Sequence, residues 1–369
     1  MNIKIKRIIL GVCTIILILV IYLLIPQVSN PTPNYETALT YGIPVSEKIN
    51  NILTPTIKPK RTRAIMVMQN EKVIYEYGPT DKIMNGHSTR KAMLSLLYGI
   101  AVDQELINLD KTLAQLEVDE FIPLTTQEKS ATIRDLLMGK SGVYLPASGE
   151  HDNQITQRPK RESHKPGTYF FNNNFDANVL GTIFMKETGI SIGKFMEDNL
   201  AKPLGLQDFD SDNVIMGSPW FMPKKKTMHK QYYIYISTRD FARIGAMVAN
   251  NGKWNGKQII SEDWITKSTS SYSDLTTNHI NYGRYDGFGY QWWTASDTNT
   301  IWTDGYGERF MIINRNKNLT LVEQNFTGNS LLSSGFWLIN KNMDSGLLNL
   351  MKAHETITST NYNNSYNSN

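Results

Sequence analysis

Ser88 and Lys91 stand three residues apart in the segment Ser88-Thr89-Arg90-Lys91, at the head of an apolar run. Positions i and i+3 share one face of a helix, so the Lys91 amine can lie beside the Ser88 hydroxyl. A serine hydroxyl becomes a useful nucleophile only when a neighbouring base removes its proton. A lysine serves as that base when burial and nearby positive charge bring its pKa down towards neutrality. The amino end of a helix adds partial positive charge there, which favours an alkoxide over an alcohol and a neutral amine over an ammonium. The chemistry implied is acyl transfer through a covalent acyl-serine.

The same spacing recurs at Ser191-Ile192-Gly193-Lys194, and position separates the two. Ser191 follows Thr188-Gly189-Ile190 and precedes Phe195-Met196, the pattern of a helix N-cap. Ser88 is followed by Met93, Leu96, Leu97, Ile100 and Ala101 at helical spacing, a stripe that would bury its helix. A buried helix can desolvate an amine at its mouth and a surface cap cannot, so Ser88 is the candidate nucleophile.

Composition removes several rival chemistries. Cys13 is the single cysteine and lies inside an apolar stretch, which excludes thiol catalysis, disulfides and cysteine zinc sites downstream. The six histidines, at 87, 151, 164, 229, 279 and 354, lack H-E-x-x-H or similar metal spacing. No metal or cofactor is expected. The net charge of +4 over 369 residues is mild. Lys224-Lys225-Lys226 reads as a solvated loop, and no basic–aromatic pattern points to nucleic acid.

Several elements must position the pair. Residues 8–25 (IILGVCTIILILVIYLLI) are free of charge, follow Lys4, Lys6 and Arg7, and end at Pro26. That length suits an uncleaved transmembrane signal-anchor in the lipid bilayer, with residues 1–7 in the cytoplasm and the remainder outside. A cleaved signal peptide is the rival, but Gln27-Val28-Ser29 is a poor cleavage site. Residues 26–60 are proline-rich and read as a stalk. Arg63–Tyr77 reads as a hairpin around Gln69-Asn70-Glu71. Helical patterns follow at Leu106–Leu116, Thr132–Leu137, Asn178–Thr188, Ser237–Gly252 and Leu331–Met351. Strand patterns return at Gly289–Trp293, Ile301–Thr303, Phe310–Asn314 and Leu319–Gln324. Strands at both ends with helices between them predict an α/β (α+β) domain over 61–352. It would hold an antiparallel sheet flanked by helices and an all-helical subdomain, with the site in the cleft between them. The Asn-, Ser- and Thr-rich tail, 353–369, is expected to be disordered.

Between about Arg63 and Met351 the chain resembles the serine β-lactamase-related hydrolases. These include class C β-lactamases, penicillin-binding carboxypeptidases, esterases and 6-aminohexanoate-dimer hydrolases. Ser88-Thr89-Arg90-Lys91 with its apolar sequel, TIRDLLMGKSGV (132–143), PGTYFFNNNFDANVLG (166–181), STRDFARIGAMVANNGKWNGKQIIS from Ser237 and GYQWW from Gly289 match family segments in order. The resemblance implies a β-lactamase/transpeptidase-like fold and assigns Ser88 and Lys91 as nucleophile and base. Two departures stand out. The family tyrosine falls on Asn172 and its asparagine on Asn174, and a carboxamide cannot shuttle a proton at neutral pH. In the third motif, Gly305-Tyr306-Gly307-Glu308-Arg309 stands where Lys-Thr-Gly or His-Gly-Gly is usual, with Tyr306 in the Lys/His position.

On this reading Gly307 and Arg309 lie on the oxyanion side, and Arg309 could clamp a substrate carboxylate. Blander alternatives are a half-buried strand tyrosine at 306, a turn residue at Asn174 and a surface arginine at 309. Trp292 and Trp293 would face opposite ways, one into the core and one into the cleft. The implied function is a single-pass hydrolase of the cytoplasmic (inner) membrane with its catalytic domain on the periplasmic or extracellular side. It would cleave a small-molecule or peptide-like amide or ester. The alternative is a peptide- or β-lactam-binding protein without turnover, favoured by Asn172.

Overall fold

The computed structural model describes residues 3–24, 38–42, 44, 47–53, 63–217, 227–275, 286–295, 299–325, 354–357 and 359. In chain order the strands are β1 (Arg63–Gln69), β2 (Lys72–Tyr77), β3 (Ile83–Asn85), β4 (Val214–Met216), β5 (Tyr232–Ser237), β6 (Lys253–Trp254), β7 (Lys257–Gln258), β8 (Ser273–Asp274), β9 (Gly287–Phe288), β10 (Trp293–Ala295), β11 (Thr300–Gly305), β12 (Arg309–Asn314) and β13 (Leu319–Asn325). The helices are α1 (Ile3–Leu24), α2 (Glu47–Leu53), α3 (Arg90–Asp103), α4 (Thr126–Lys129), α5 (Ile133–Leu137), α6 (Asp152–Thr156), α7 (Asn174–Thr188), α8 (Ile192–Met196), α9 (Lys202–Leu204), α10 (Thr238–Ala249) and α11 (Glu262–Ser268).

The β1–β2 hairpin turns at Asn70 and Glu71, whose φ angles are 49° and 64°. A two-residue turn of that hand matches the twist of the strands it joins. β13 then pairs antiparallel with both β1 and β12, placing early and late strands side by side. The resulting sheet runs β2-β1-β13-β12-β11-β10-β9-β8. Its two faces follow the period-2 alternation of strand side chains. Met66, Met68, Met311, Ile313 and Val322 join the larger core beneath α10, while Val67, Ile312, Leu319 and Leu321 face a second cluster with Leu53, Phe170 and Ile357. β1 is therefore buried on both faces. Ser237 caps α10 by accepting the Asp240 N–H, and Gly245 lets that helix approach Thr320 of β13.

The helical region centres on α3, which is buried from Arg90 to Ala101 and contacts α7, α8 and α11. The antiparallel sheet beside a helical region agrees with the fold expected from sequence. Four local expectations are corrected. Leu106–Leu116 forms consecutive turns rather than a helix, because Asn108 Oδ1 accepts the Asp110 N–H and Leu113 N–H bonds Ala131 O. In Gly289–Trp293, Gln291 sits at φ 65°, so regular strand begins only at Trp293. Within 26–60, Gly42 N–H bonds Val73 O and Leu53 of α2 is fully buried, so this part of the supposed stalk is docked. In the tail, residues 354–357 are helical and Ile357 is buried. The helix expected at Leu331–Met351 lies outside the described residues.

Among the described residues no helix is long and apolar enough to cross a membrane, so the span expected at Ile8–Ile25 is not found there.

Candidate active site

Ser88 lies in a single 3-10 turn, His87–Thr89, that leads directly into α3. The turn is tied on every side. Gly86 N–H bonds Ile234 O of β5 at 2.9 Å, and the Thr89 hydroxyl donates to Gly86 O at 2.9 Å. His87 adopts φ 50°, which a β-carbon makes unfavourable, and Asn85 Oδ1 offsets this by accepting its N–H at 2.8 Å. Gly305 at the end of β11 touches the turn so closely that a β-carbon there would lie 2.3 Å from Gly86 O. Ser88 itself is half-buried, and its N–H and hydroxyl have no hydrogen-bond partner among the described residues.

Lys91, one helical turn on, is 8% exposed. Its Nζ donates to Asn172 Oδ1 and to Asn173 O, each at 3.3 Å. Burial, then the adjacent Arg90 charge, lowers its pKa to about 7, while Asp304 and Asp176 pull the other way. Arg90 is fully buried, donates to Asn178 Oδ1 at 3.2 Å and lies 4.5 Å over the Tyr232 ring. Asn172 reaches Lys91 from just before α7, which starts two residues on. Asn173 caps that helix through the Asp176 N–H at 2.8 Å, and Asn172 O accepts from Gln154 Nε2 at 3.2 Å. Asp176 accepts the Ser141 hydroxyl at 2.6 Å, and burial pushes its pKa up to about 7.

The β11–β12 turn forms the third wall. Tyr306 is half-buried, its ring 5.9 Å from that of His87 and stacked 5.7 Å from that of His151. Gly307 (φ 84°) and Glu308 (φ 61°) complete the turn. Arg309 is fully buried, donating to Asn85 O at 2.9 Å and to Tyr306 O and Gly307 O at 2.8 Å. Its guanidinium therefore braces the nucleophile turn against the β11–β12 turn. It is neither a surface arginine nor placed to clamp a carboxylate, and burial lowers its pKa to about 10. Half-buried Asp304 accepts the Trp293 indole N–H at 2.8 Å and acts electrostatically on Lys91.

Lys91 thus contacts Asn172, and Tyr306 packs against His87, the neighbour of Ser88, with Gly307 next to it in the β11–β12 turn. No hydrogen bond joins Ser88 to Lys91 among the described residues. Asn174, at the first position of α7 and 2% exposed, turns away to donate to Gly149 O. Trp292 enters the core and Trp293 the opposite cluster, where it holds Asp304 rather than lining the cleft itself. Ser191 caps α8 by accepting the Lys194 N–H, the structural role its sequence suggested. The sequence reading missed Arg90, Asp176, Asp304 and His151. Arg90 and Asp304 were visible inside or beside the motifs, whereas His151 carried no local signal.

No group of three His, Cys, Asp or Glu side chains among the described residues could hold a metal ion. A cavity of about 390 Å³ lined by Asp103, Asp110, Arg134 and Trp264 opens at the far end of α3 and is separate from Ser88.

Comparison with known proteins supplies the relationship. The beta-lactamase family model matches residues 59–322. No curated protein matches the sequence. Three solved structures share the fold at 16% identity. A Bacillus anthracis protein described as a 6-aminohexanoate-dimer hydrolase gives a TM-score of 0.60, covering 89% of this chain and 90% of its own. A family VIII carboxylesterase gives 0.60, with 85% and 98% covered. A beta-lactamase from Mycobacterium bovis gives 0.53, with 83% and 99% covered. With the match spanning residues 59–322, most of the chain, the chain belongs to the beta-lactamase family of serine hydrolases.

Proposed function

We propose that this protein hydrolyses an ester or amide through an acyl-Ser88 intermediate, with Lys91 as general base. The observation that carries the reading is a buried amine, held by Asn172 and Asn173 with burial lowering its pKa to about 7, one helical turn from a serine whose hydroxyl and N–H have no partner among the described residues. Neutral Lys91 takes the Ser88 proton as Oγ attacks the carbonyl carbon. The tetrahedral oxyanion collects the Ser88 N–H and an N–H from the Gly307–Arg309 segment. Collapse expels the leaving group, which takes the proton back from Lys91. Water then attacks the acyl-serine, giving its proton to Lys91; the acyl–Oγ bond breaks, Lys91 returns that proton to Ser88 Oγ, and the acid is released. The carboxylesterase among the structural relatives makes an ester the first substrate to try.

Asn172 occupies the place of the family's phenol and holds Lys91 through its carbonyl oxygen. That amide can orient the amine but cannot relay a proton, so Lys91 serves both half-reactions and turnover is slow. The same residue supports the second reading, a protein that traps a peptide or β-lactam without releasing it. A fluorophosphonate probe is expected to label Ser88, and Ser88→Ala to abolish labelling with little change in Tm. Labelling at Ser191, or none in folded protein, would refute the nucleophile assignment. Asn172→Tyr is expected to raise p-nitrophenyl acetate turnover, by at most the about 10²–10⁴-fold of a positioned acid/base. An unchanged rate, together with loss of activity in Tyr306→Phe, would move the proton relay to Tyr306.

The protein is further proposed to sit in the cytoplasmic membrane through residues 8–25 with its catalytic domain outside. Support comes from the charge-free sequence, its helical backbone in α1, and exposed Leu10, Ile15, Ile16, Leu17 and Ile18. Large apolar side chains exposed in a row require a covering medium.

A further inference from the structure

The short helix α6 buries none of its residues, yet two contacts run inward from its first turn. The ring of His151, which precedes it, stacks on Tyr306 at 5.7 Å, and Tyr306 in turn meets His87, the neighbour of Ser88, at 5.9 Å. Three residues on, half-buried Gln154 uses both ends of its amide. Its Oε1 accepts the His151 N–H at 3.3 Å, and its Nε2 donates to Asn172 O at 3.2 Å. One side chain therefore ties the residue stacked on Tyr306 to the residue that holds Lys91.

The carbonyl that Gln154 holds belongs to the peptide unit joining Asn172 to Asn173. The two acceptors of Lys91 Nζ, Asn172 Oδ1 and Asn173 O, flank that unit. A peptide unit is planar, so turning its carbonyl changes ψ of Asn172 and φ of Asn173 together and moves the acceptor on each side. Asn173 has ties of its own: Oδ1 takes the Asp176 N–H at 2.8 Å, and Nδ2 donates to Phe171 O at 2.7 Å. Asn172 lies outside α7, with its side chain on Lys91 and its carbonyl on Gln154. Its orientation therefore depends on the strap.

We propose that Gln154 is a positioning residue of the site, acting on Lys91 through Asn172, and that α6 is the strap that carries it. The inference rests on the hydrolase reading above. Gln154 makes no hydrogen bond to Ser88 or Lys91 among the described residues. It sets the direction in which Asn172 presents its oxygen, and so where the amine stands when it takes the serine proton. Gln154→Ala is expected to lower the rates of Ser88 phosphonylation and of ester hydrolysis by one common factor, with little change in Tm. That factor is about three- to tenfold, the range of one neutral hydrogen bond.

The test uses the full-length protein in detergent, with fluorophosphonate labelling of Ser88 and p-nitrophenyl acetate hydrolysis as readouts. Rates are compared on the high-pH plateau, where the amine is neutral. Gln154→Glu keeps an acceptor for the His151 N–H but, as a carboxylate, has no proton for Asn172 O, so it is expected to be as slow as Gln154→Ala. A strap that mattered only as a helix would be rescued by the glutamate. In an Asn172→Ala background, Gln154→Ala is expected to add no further loss, because the side chain it orients is gone; a merely structural role would multiply the two losses. Full activity of Gln154→Ala, rescue by the glutamate, or losses that multiply would each overturn the proposal. If the natural protein labels at no serine, the hydrolase reading fails separately. The proposal is then read from acetylation of Lys91 by acetic anhydride across pH, followed by peptide mass spectrometry. Arg90, Asp304 and Asp176, the charged groups that act on the amine, are untouched by Gln154→Ala, so a midpoint that moves up reports an amine released to water. An unmoved midpoint overturns the proposal.

Discussion

At the residue scale, the proposed chemistry turns on how Lys91 is kept neutral. Its pKa of about 7 reflects burial first and the Arg90 charge second, opposed by Asp304 and Asp176. Only the neutral amine accepts the Ser88 proton, so kcat/KM is expected to rise with pH through about 7 and then level. Arg90→Gln keeps an amide for Asn178 and removes the positive charge. The limb should then move to higher pH, with the rate at pH 7 about three- to tenfold lower. A pH profile of ester hydrolysis measures this, and a limb that stays in place would mean that Arg90 only packs. The sign for stability follows from the same shift. The unfolded lysine binds a proton below about 10.5 and the folded one only below about 7, so this group's contribution is lost as pH falls across that interval.

At the element scale, the site is a joint between a 3-10 turn and a hairpin turn. Arg309 is the tie, bonding Asn85 O on one side and Tyr306 O and Gly307 O on the other. Arg309→Met would leave buried carbonyls without donors, at about 1–3 kcal/mol each. The expected result is a Tm several degrees lower and slower Ser88 labelling, with equal losses for neutral and carboxylate-bearing substrates. A loss confined to carboxylate-bearing substrates would restore the clamp role that the buried geometry denies. The elements that frame this joint were legible where local signals agreed. The Asn70-Glu71 turn, the Ser237 cap of α10 and the strands around Arg315-Asn316-Lys317 formed where their residues placed them. Leu106–Leu116 misled because its apolar spacing fits a helix, while Asn108 and Thr112 divert the backbone into turns.

At the scale of the whole molecule, the sheet places residues far apart in sequence into one cluster. Arg63 of β1 meets Glu323 of β13 and Glu308 of the third wall, all buried. One guanidinium cannot neutralise two carboxylates, so burial and the Glu308 charge raise the Glu323 pKa to about 8. Folded Glu323 therefore holds a proton that the unfolded chain releases above about 4.5. Its contribution to stability declines as pH rises from there through about 8. Glu323→Gln is expected to flatten that part of the Tm–pH curve, and an unchanged slope would show that the cluster is not its source. Membrane attachment is tested at the same scale. A reporter fused after Ser46 should be active only when exported, and the protein should stay with the membrane through alkaline carbonate. Recovery in the soluble fraction would refute the anchor.

The sequence by itself determined the hairpin, the cap of α10 and the family, and it supplied the proposed nucleophile pair and the carboxamide at position 172. Each is written in neighbouring residues whose spacing matches a helical or strand period. Tertiary structure alone decided what surrounds the pair. Arg309 became a brace because the strand β12 buries it under the Ser88 turn, and Asn174 turned towards Gly149 because it is the first residue of α7. Asp304 came to act electrostatically on Lys91 only when β11 was laid beside the head of α3, since nothing in local sequence records which distant charge will lie near a buried amine.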